Sequence, residues 1–279
     1  MRKHLTFAAR DALSSVNAFK QHGLVAFATG WSQGTKVQHR QQEAVGLLSY
    51  YLEKAKQRGF GLGKETGFRE FVQKDQNRYD VNLDHAPPAG PGREFALALR
   101  RDVEAALGVE FFEAVLGKGY RANAQGLVIS KCGAPAQAWH VDSSHLFVGI
   151  KDLPCHFVTV FCPLYGMEEA IGPTEFILGS QHFTHWLPTL EVSDQYPPEE
   201  TVELIRSEAK TWASDLGEGE IQMDCEAGDI VVMDGRLLHR AQANRLPESV
   251  RSLAYFSFCR PWYYEWPRSQ AEDRFLFTK

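Results

Sequence analysis

The chain has 279 residues, 44% of them apolar, 12% aromatic and 23% charged, with a formal net charge of −5 and a pI near 6.1. That composition can bury the core of one large domain, and an acidic balance without a basic block argues against a nucleic-acid-binding face. No apolar run approaches the ~20 residues of a membrane span. The basic opening Met1-Arg2-Lys3-His4-Leu5-Thr6-Phe7 lacks the long apolar stretch of a secretion signal. The five cysteines, an odd number without C-x-x-C spacing, read as reduced thiols of a cytoplasmic protein.

The first 117 residues read as mostly helical. Residues 11–22 form a short helix capped by Ser14 or Ser15, striped by Val16 and Phe19 and ended by Gly23. Leu24-Val25-Ala26-Phe27 is a buried strand. From Lys36 to Arg58, Ala44, Leu47, Leu48, Tyr51, Leu52 and Ala55 share one broad helical face, and Gly59 closes it. Residues 60–92 are irregular apart from an extended Arg78–Leu83, with Ala86-Pro87-Pro88-Ala89-Gly90-Pro91-Gly92 a loop. Helical spacing returns over Arg93–Leu107, with Phe95, Leu99, Ala106 and Leu107 facing the core, and through Phe112 and Val115 up to Gly117.

Beyond Gly119 the period changes from helical to extended. Gly126–Ser130, Phe157–Phe161, Thr174–Leu178, Asp229–Met233 and Arg251–Phe258 are β-rich and separated by turn residues, the pattern of a sandwich or barrel. A helix over 197–213, with Val202, Ile205, Ala209 and Trp212 on its inner side, interrupts them. The tail Pro261-Trp262-Tyr263-Tyr264-Glu265-Trp266 is read as packed against the body. The reading is a single domain over 1–279: a helical buttress over 1–117, a jelly-roll core over 118–260 holding the inserted helix, and an aromatic tail over 261–279.

The chemistry centres on Gln137-Ala138-Trp139-His140-Val141-Asp142. On an extended segment, residues two apart share a face, so the His140 imidazole and the Asp142 carboxylate converge. His239 lies far downstream, after Asp234-Gly235, which is read as a hairpin turn. Counted by parity, Leu237, His239 and Ala241 point inward, and Arg236, Leu238 and Arg240 outward. Two imidazoles and one carboxylate make the facial triad of non-haem Fe(II) oxygenases. In the last strand Arg251 shares a face with Leu253 and Tyr255. A buried guanidinium needs an anion, and a metal-chelating 2-oxo acid with a distal carboxylate fits that need.

Three segments resemble the phytanoyl-CoA dioxygenase-like family. Gly172-Pro173-Thr174-Glu175-Phe176-Ile177-Leu178-Gly179-Ser180-Gln181-His182 is similar to its G-x-T-x-x-x-P-G-S-H segment. Leu238-His239-Arg240-Ala241-Gln242-Ala243-Asn244 followed by Arg251 looks like its distal motif, and Phe19-Lys20-Gln21-His22-Gly23-Leu24-Val25 like its helix-Gly-strand entry. The likeness runs from about residue 15 to 260. It departs from the family at Leu178, where Pro is usual, and at the inserted Gln181, which leaves His182 without an assigned role. The resemblance implies a mainly β fold with flanking helices, built on a double-stranded β-helix (cupin-like jelly roll). It implies Fe(II), 2-oxoglutarate and O2. Carried over by position, His140, Asp142 and His239 hold iron, Arg251 clamps the distal carboxylate, Thr174 adds a hydroxyl, and Gln137 touches cofactor or substrate. His145 lines the mouth only if a turn at Ser143-Ser144 reverses its parity. His182 and His185 are read as structural or substrate-facing.

The expected reaction is oxidation of a C–H bond of a small organic molecule, by hydroxylation, desaturation, cyclisation or epoxidation, in secondary or lipid metabolism. With Asp142 present, halogenation is not expected. A cupin-type barrel of 2-oxoglutarate-independent chemistry and a zinc hydrolase both leave Arg251 without an anion, and the intact triad argues against a non-catalytic ligand-binding domain. The ending Phe275-Leu276-Phe277-Thr278-Lys279 carries no peroxisomal address. The sequence does not identify a substrate or an oligomeric state.

Overall fold

A computed structural model describes residues 5–59, 67–88, 90–166, 169–187, 196–212, 219–264 and 275–277. Ala89, Ala213, Glu265 and Trp266, together with the two chain ends, lie outside the described residues. The chain opens with β1 (Thr6–Ala8), α1 (Val16–His22) and β2 (Leu24–Ala28). Gly23 ends α1 in the left-handed region at φ 75°, and a Cβ there would meet Gln181 at 2.4 Å and Leu237 at 2.7 Å. Glycine is required on both counts. Ser15 does not cap α1 as expected: its hydroxyl instead donates back to the Ala12 carbonyl at 2.6 Å.

Next come α2 (Thr35–Gln57), β3 (Gly67–Phe68), β4 (Phe71–Asp75), β5 (Arg78–Asn82), α3 (Pro91–Leu107) and α4 (Val109–Leu116). The β3–β4 hairpin was not anticipated, because Phe71-Val72-Gln73-Lys74-Asp75 has no clean apolar alternation. The β-rich half follows as β6 (Arg121–Lys131), β7 (Phe157–Pro163), β8 (Thr174–Ile177), α5 (Glu199–Trp212), β9 (Glu220–Gln222), β10 (Ile230–Asp234), β11 (His239–Ala241) and β12 (Val250–Cys259).

Two sheets make the jelly roll. The larger runs β1-β2-β10-β7-β12-β6-β5-β4-β3, antiparallel except for β1 with β2, and the smaller runs β11-β8-β9. Along β12 alternate residues serve two cores. Ala254, Phe256 and Phe258 face the helices, where Phe258 lies 4.6 Å from Phe112 between ring centroids. Leu253 faces the other way, packing with Phe161, Val231 and Met233 against Phe176, Ile221 and Leu237. A third core joins α5 through Val202, Ile205 and Ala209 to Trp139, Val141, Ile177 and Leu238. Each fully buried Val, Leu, Ile, Phe or Met side chain among these contributes about 1.5–3 kcal/mol. Among the described residues, no helix is long and apolar enough to cross a membrane.

Three expectations are corrected. Asp234-Gly235 is not a hairpin turn: β10 pairs with β2 and β7, whereas β11 pairs with β8 in the other sheet. The chain crosses between sheets there, so parity cannot be counted through the crossing. Arg236, expected outside, is only 4% exposed and pairs with Asp234 at 2.7 Å, and Leu238, also expected outside, is fully buried. Trp212 is 45% exposed rather than on the inner side of α5. It lies against the His182 ring at 4.5 Å and donates its indole N–H to the Gln21 carbonyl at 3.1 Å.

Candidate metal centre

The segment carrying His140 and Asp142 is not a full strand. It meets β11 through one antiparallel bridge, in which the amides of His140 and His239 each donate to the other's carbonyl at 3.0 Å. That bridge places the two imidazoles side by side, with ring centroids 4.3 Å apart. Two residues beyond His140, Asp142 turns a carboxylate oxygen to within 3.5 Å of His239 Nε2. One donor atom each from His140, Asp142 and His239 lies within 4.8 Å of the others, and no other His/Cys/Asp/Glu group of this kind occurs among the described residues.

The ring nitrogens are already sorted. His140 Nδ1 donates to the Ala138 carbonyl at 2.9 Å and His239 Nδ1 to the Leu237 carbonyl at 3.0 Å. Both Nε2 lone pairs are therefore left for a metal. Burial, and then the neighbouring His239, push His140 down to about 4, so it stays neutral as a ligand must. The other Asp142 oxygen accepts from the Thr159 hydroxyl on β7 at 2.5 Å. Thr159 was missed at the sequence level, although a lone hydroxyl inside Val158-Thr159-Val160 was the available signal.

Arg251 is 1% exposed and points inward from β12. It donates to the Gly172 carbonyl and, at 3.4 Å, to the Ser130 hydroxyl. A second guanidinium shares that hydroxyl: Arg78 on β5, also 1% exposed, donates to Ser130 Oγ at 3.3 Å and to the Pro135 carbonyl. Neither arginine has an ion-pair partner among the described residues, and Arg251 Nε and Arg78 Nη1 have no acceptor. Burial, with Arg78 beside it, lowers Arg251 to about 9. Two buried cations with unsatisfied donors require an anion. No sequence signal marked Arg78, since an arginine at a strand end is ordinarily solvated.

Thr174 is buried at the start of β8, opposite Ala241 and two residues past Gly172, whose carbonyl accepts from Arg251. Gln137 is half-buried and grips β11: its amide donates to the Ala241 carbonyl at 2.8 Å, and its side-chain carbonyl accepts from the Ala241 amide at 3.1 Å. His145 is outside the centre, buried beside His185 and bonded to the Gln181 carbonyl at 2.9 Å. His182 reaches the Gln21 carbonyl and Asp152, while His185 donates to the His182 carbonyl. Of the described tail, Tyr263 packs on the His156 ring at 4.5 Å and bonds Ser143 at 2.8 Å, while Trp262 and Tyr264 are exposed. Tyr196, just before α5, stands edge-on to His140 at 6.1 Å between centroids with its ring half in solvent.

Two imidazole nitrogens and one carboxylate oxygen suit Fe(II) with positions left open, and the orphaned guanidinium donors suit a dicarboxylate co-ligand. The sequence profile of the phytanoyl-CoA dioxygenase family matches residues 19–251. No curated protein matches the sequence. Similar crystal structures include AviO1 from Streptomyces viridochromogenes Tue57, at 18% identity over 92% of this chain and 98% of that one, TM-score 0.58. They include the epimerase SnoN in complex with Fe3+, alpha ketoglutarate and nogalamycin RO, at 16% over 90% and 84%, TM-score 0.57. EctD from S. alaskensis with 2-oxoglutarate and 5-hydroxyectoine matches at 16% over 91% and 76%, TM-score 0.58. At these identities the likeness shows the fold.

Proposed function

The chain belongs to the phytanoyl-CoA dioxygenase family of Fe(II)- and 2-oxoglutarate-dependent oxygenases, and from that premise we propose that it oxidises a C–H bond of a small organic molecule at the centre formed by His140, Asp142 and His239. The observation that carries this reading is the pairing of that triad with two buried, unmatched guanidinium groups in the same barrel. A hydrolase, or an isomerase that works without a 2-oxo acid, has no use for Arg78 and Arg251.

His140, Asp142 and His239 would hold iron, and Arg251, with Arg78 behind it, would receive the distal carboxylate of 2-oxoglutarate. Bound iron supplies the O2-dependent oxidation of 2-oxoglutarate that drives C–H cleavage. The protein's own part is to orient and to exclude water. Thr159 fixes the Asp142 carboxylate, the Ala138 and Leu237 carbonyls fix the imidazoles, and Thr174 offers a hydroxyl beside the cofactor. Tyr196 supplies a half-exposed aromatic edge over His140 for the substrate to rest against. The nogalamycin and ectoine ligands of the similar structures fit a small-molecule substrate, and secondary metabolism is the setting we favour.

Anaerobic titration of the metal-free protein with Fe(II) and 2-oxoglutarate tests the reading. A weak visible charge-transfer band is expected in the wild type and not in Asp142→Ala. A clean titration without a band in either protein would overturn it.

A further inference from the structure

We propose that Trp139 is a positioning residue for the metal centre, clamped between Arg240 and Arg206 so that the inserted helix α5 forms the back plate of the two histidine ligands. The inference rests on the reading of His140, Asp142 and His239 as metal ligands.

In an antiparallel bridge between His140 and His239, the next pair outward is Trp139 with Arg240. Alternation turns that pair to the side opposite the imidazoles. The Arg240 guanidinium lies 4.5 Å from the Trp139 ring centroid, and Arg206 of α5 lies 5.5 Å from it. Both cations are themselves anchored, Arg240 to Glu175 at 2.9 Å and Arg206 to Glu220 at 3.1 Å. The indole is 3% exposed, yet its N–H has no acceptor among the described residues. Ring faces and packing, not a hydrogen bond, therefore set where the indole sits.

The remaining contacts extend the same arrangement. Val141 follows His140 and Leu238 precedes His239, and both lie in the apolar cluster with Val202, Ile205 and Ala209 of α5. Trp139, Val141 and Leu238 thus rest on the inserted helix, while Arg240 is held by Glu175 of β8. Trp139 acts through His140 and touches no reacting atom.

The test uses Co(II) alone as the probe, with affinity from calorimetric titration, ligand-field bands from visible spectra, and urea midpoints of the metal-free proteins. Trp139→Phe keeps a ring face and Trp139→Leu does not. Trp139→Leu is expected to weaken Co(II) binding about tenfold and shift the bands, while Trp139→Phe stays within about threefold of wild type. Wild-type affinity and spectrum in Trp139→Leu, with only the urea midpoint lowered, would reduce Trp139 to a core residue and overturn the proposal. If Trp139→Leu does not fold, Arg206→Met takes its place: weakened binding supports the clamp, and unchanged binding and bands overturn it. His239→Ala separates the two readings. If it binds Co(II) as the wild type does, the metal centre itself is misassigned; if it loses binding while both clamp variants keep it, only the clamp fails.

Discussion

His140 and His239 each donate an amide hydrogen to the other's carbonyl at 3.0 Å, so two residues 99 positions apart are joined by a reciprocal pair of backbone hydrogen bonds. The imidazole separation is thus set before any metal arrives, and Asp142 closes the third corner from the same short segment. Removing that carboxylate should remove the metal and little else. Asp142→Ala is expected to abolish turnover of 2-oxoglutarate and substrate while changing folding stability by at most about 1 kcal/mol. Turnover and urea unfolding of the same preparation check it; full turnover would show that Asp142 is no ligand.

Thr159 tests the support behind that corner. Its hydroxyl is the donor to the outer Asp142 oxygen. Thr159→Val keeps the shape and removes the donor, and should lower Mn(II) affinity about tenfold. Paramagnetic resonance of free Mn(II) measures this without catalysis, and an unaltered affinity would remove Thr159 from the centre.

Arg78 and Arg251 hold buried N–H donors that an anion would satisfy. Each is a buried cation beside another cation, and neither has a carboxylate partner among the described residues. Adding 2-oxoglutarate should therefore raise the thermal midpoint of the wild type, since a ligand that binds only the folded state stabilises it. Arg251→Leu should lose that rise and weaken 2-oxoglutarate about 10- to 100-fold, the range for a lost charge-assisted contact. Arg78→Leu should change the ligand-free midpoint little, because relief of its repulsion with Arg251 offsets the lost bonds to Ser130 and the Pro135 carbonyl. A markedly lower midpoint in Arg78→Leu without ligand would show that Arg78 holds the fold together rather than waiting for an anion.

His156 and His145 predict an acid limb in stability. Burial foremost, with Arg236 close by, pushes His156 down to about 4, and burial does the same for His145. In the unfolded chain a histidine takes a proton near pH 6.5. Between about 6.5 and 4 the unfolded chain therefore binds more protons. Stability present above 6.5 is lost as the pH falls toward 4. Asp234, which Arg236 holds down at about 2 against the upward push of burial, extends the loss below the ordinary carboxylate range. Urea midpoints from pH 8 to 4 should fall through this window, less steeply in His156→Gln; identical slopes in the two proteins would exclude His156 as a contributor.

Legibility followed the continuity of the backbone. The inward aim of Arg251 could be read from Leu253 and Tyr255 because β12 pairs with β6 in continuous register from Val250 to Ser257, so alternation holds there. The same counting failed at Arg236, because residues 234–238 cross from one sheet to the other and a crossing resets the faces. Arg78 gave no signal at all: its burial depends on β5 being covered from the barrel interior, which is a non-local fact.

What the sequence alone determined is the set of local periodicities, the main helices of the first part and the short strands after it, and the residue types of the proposed centre, His140, Asp142, His239 and Arg251. These are properties of neighbours along the chain, and alternation or helical spacing encodes them directly. Only the tertiary structure decided what stands behind and beside those residues, namely Thr159 on Asp142, Arg78 beside Arg251, and Trp139 between Arg240 and Arg206. Each of those contacts joins elements distant in sequence, and no periodicity along one strand specifies which other strand or helix will lie across from it.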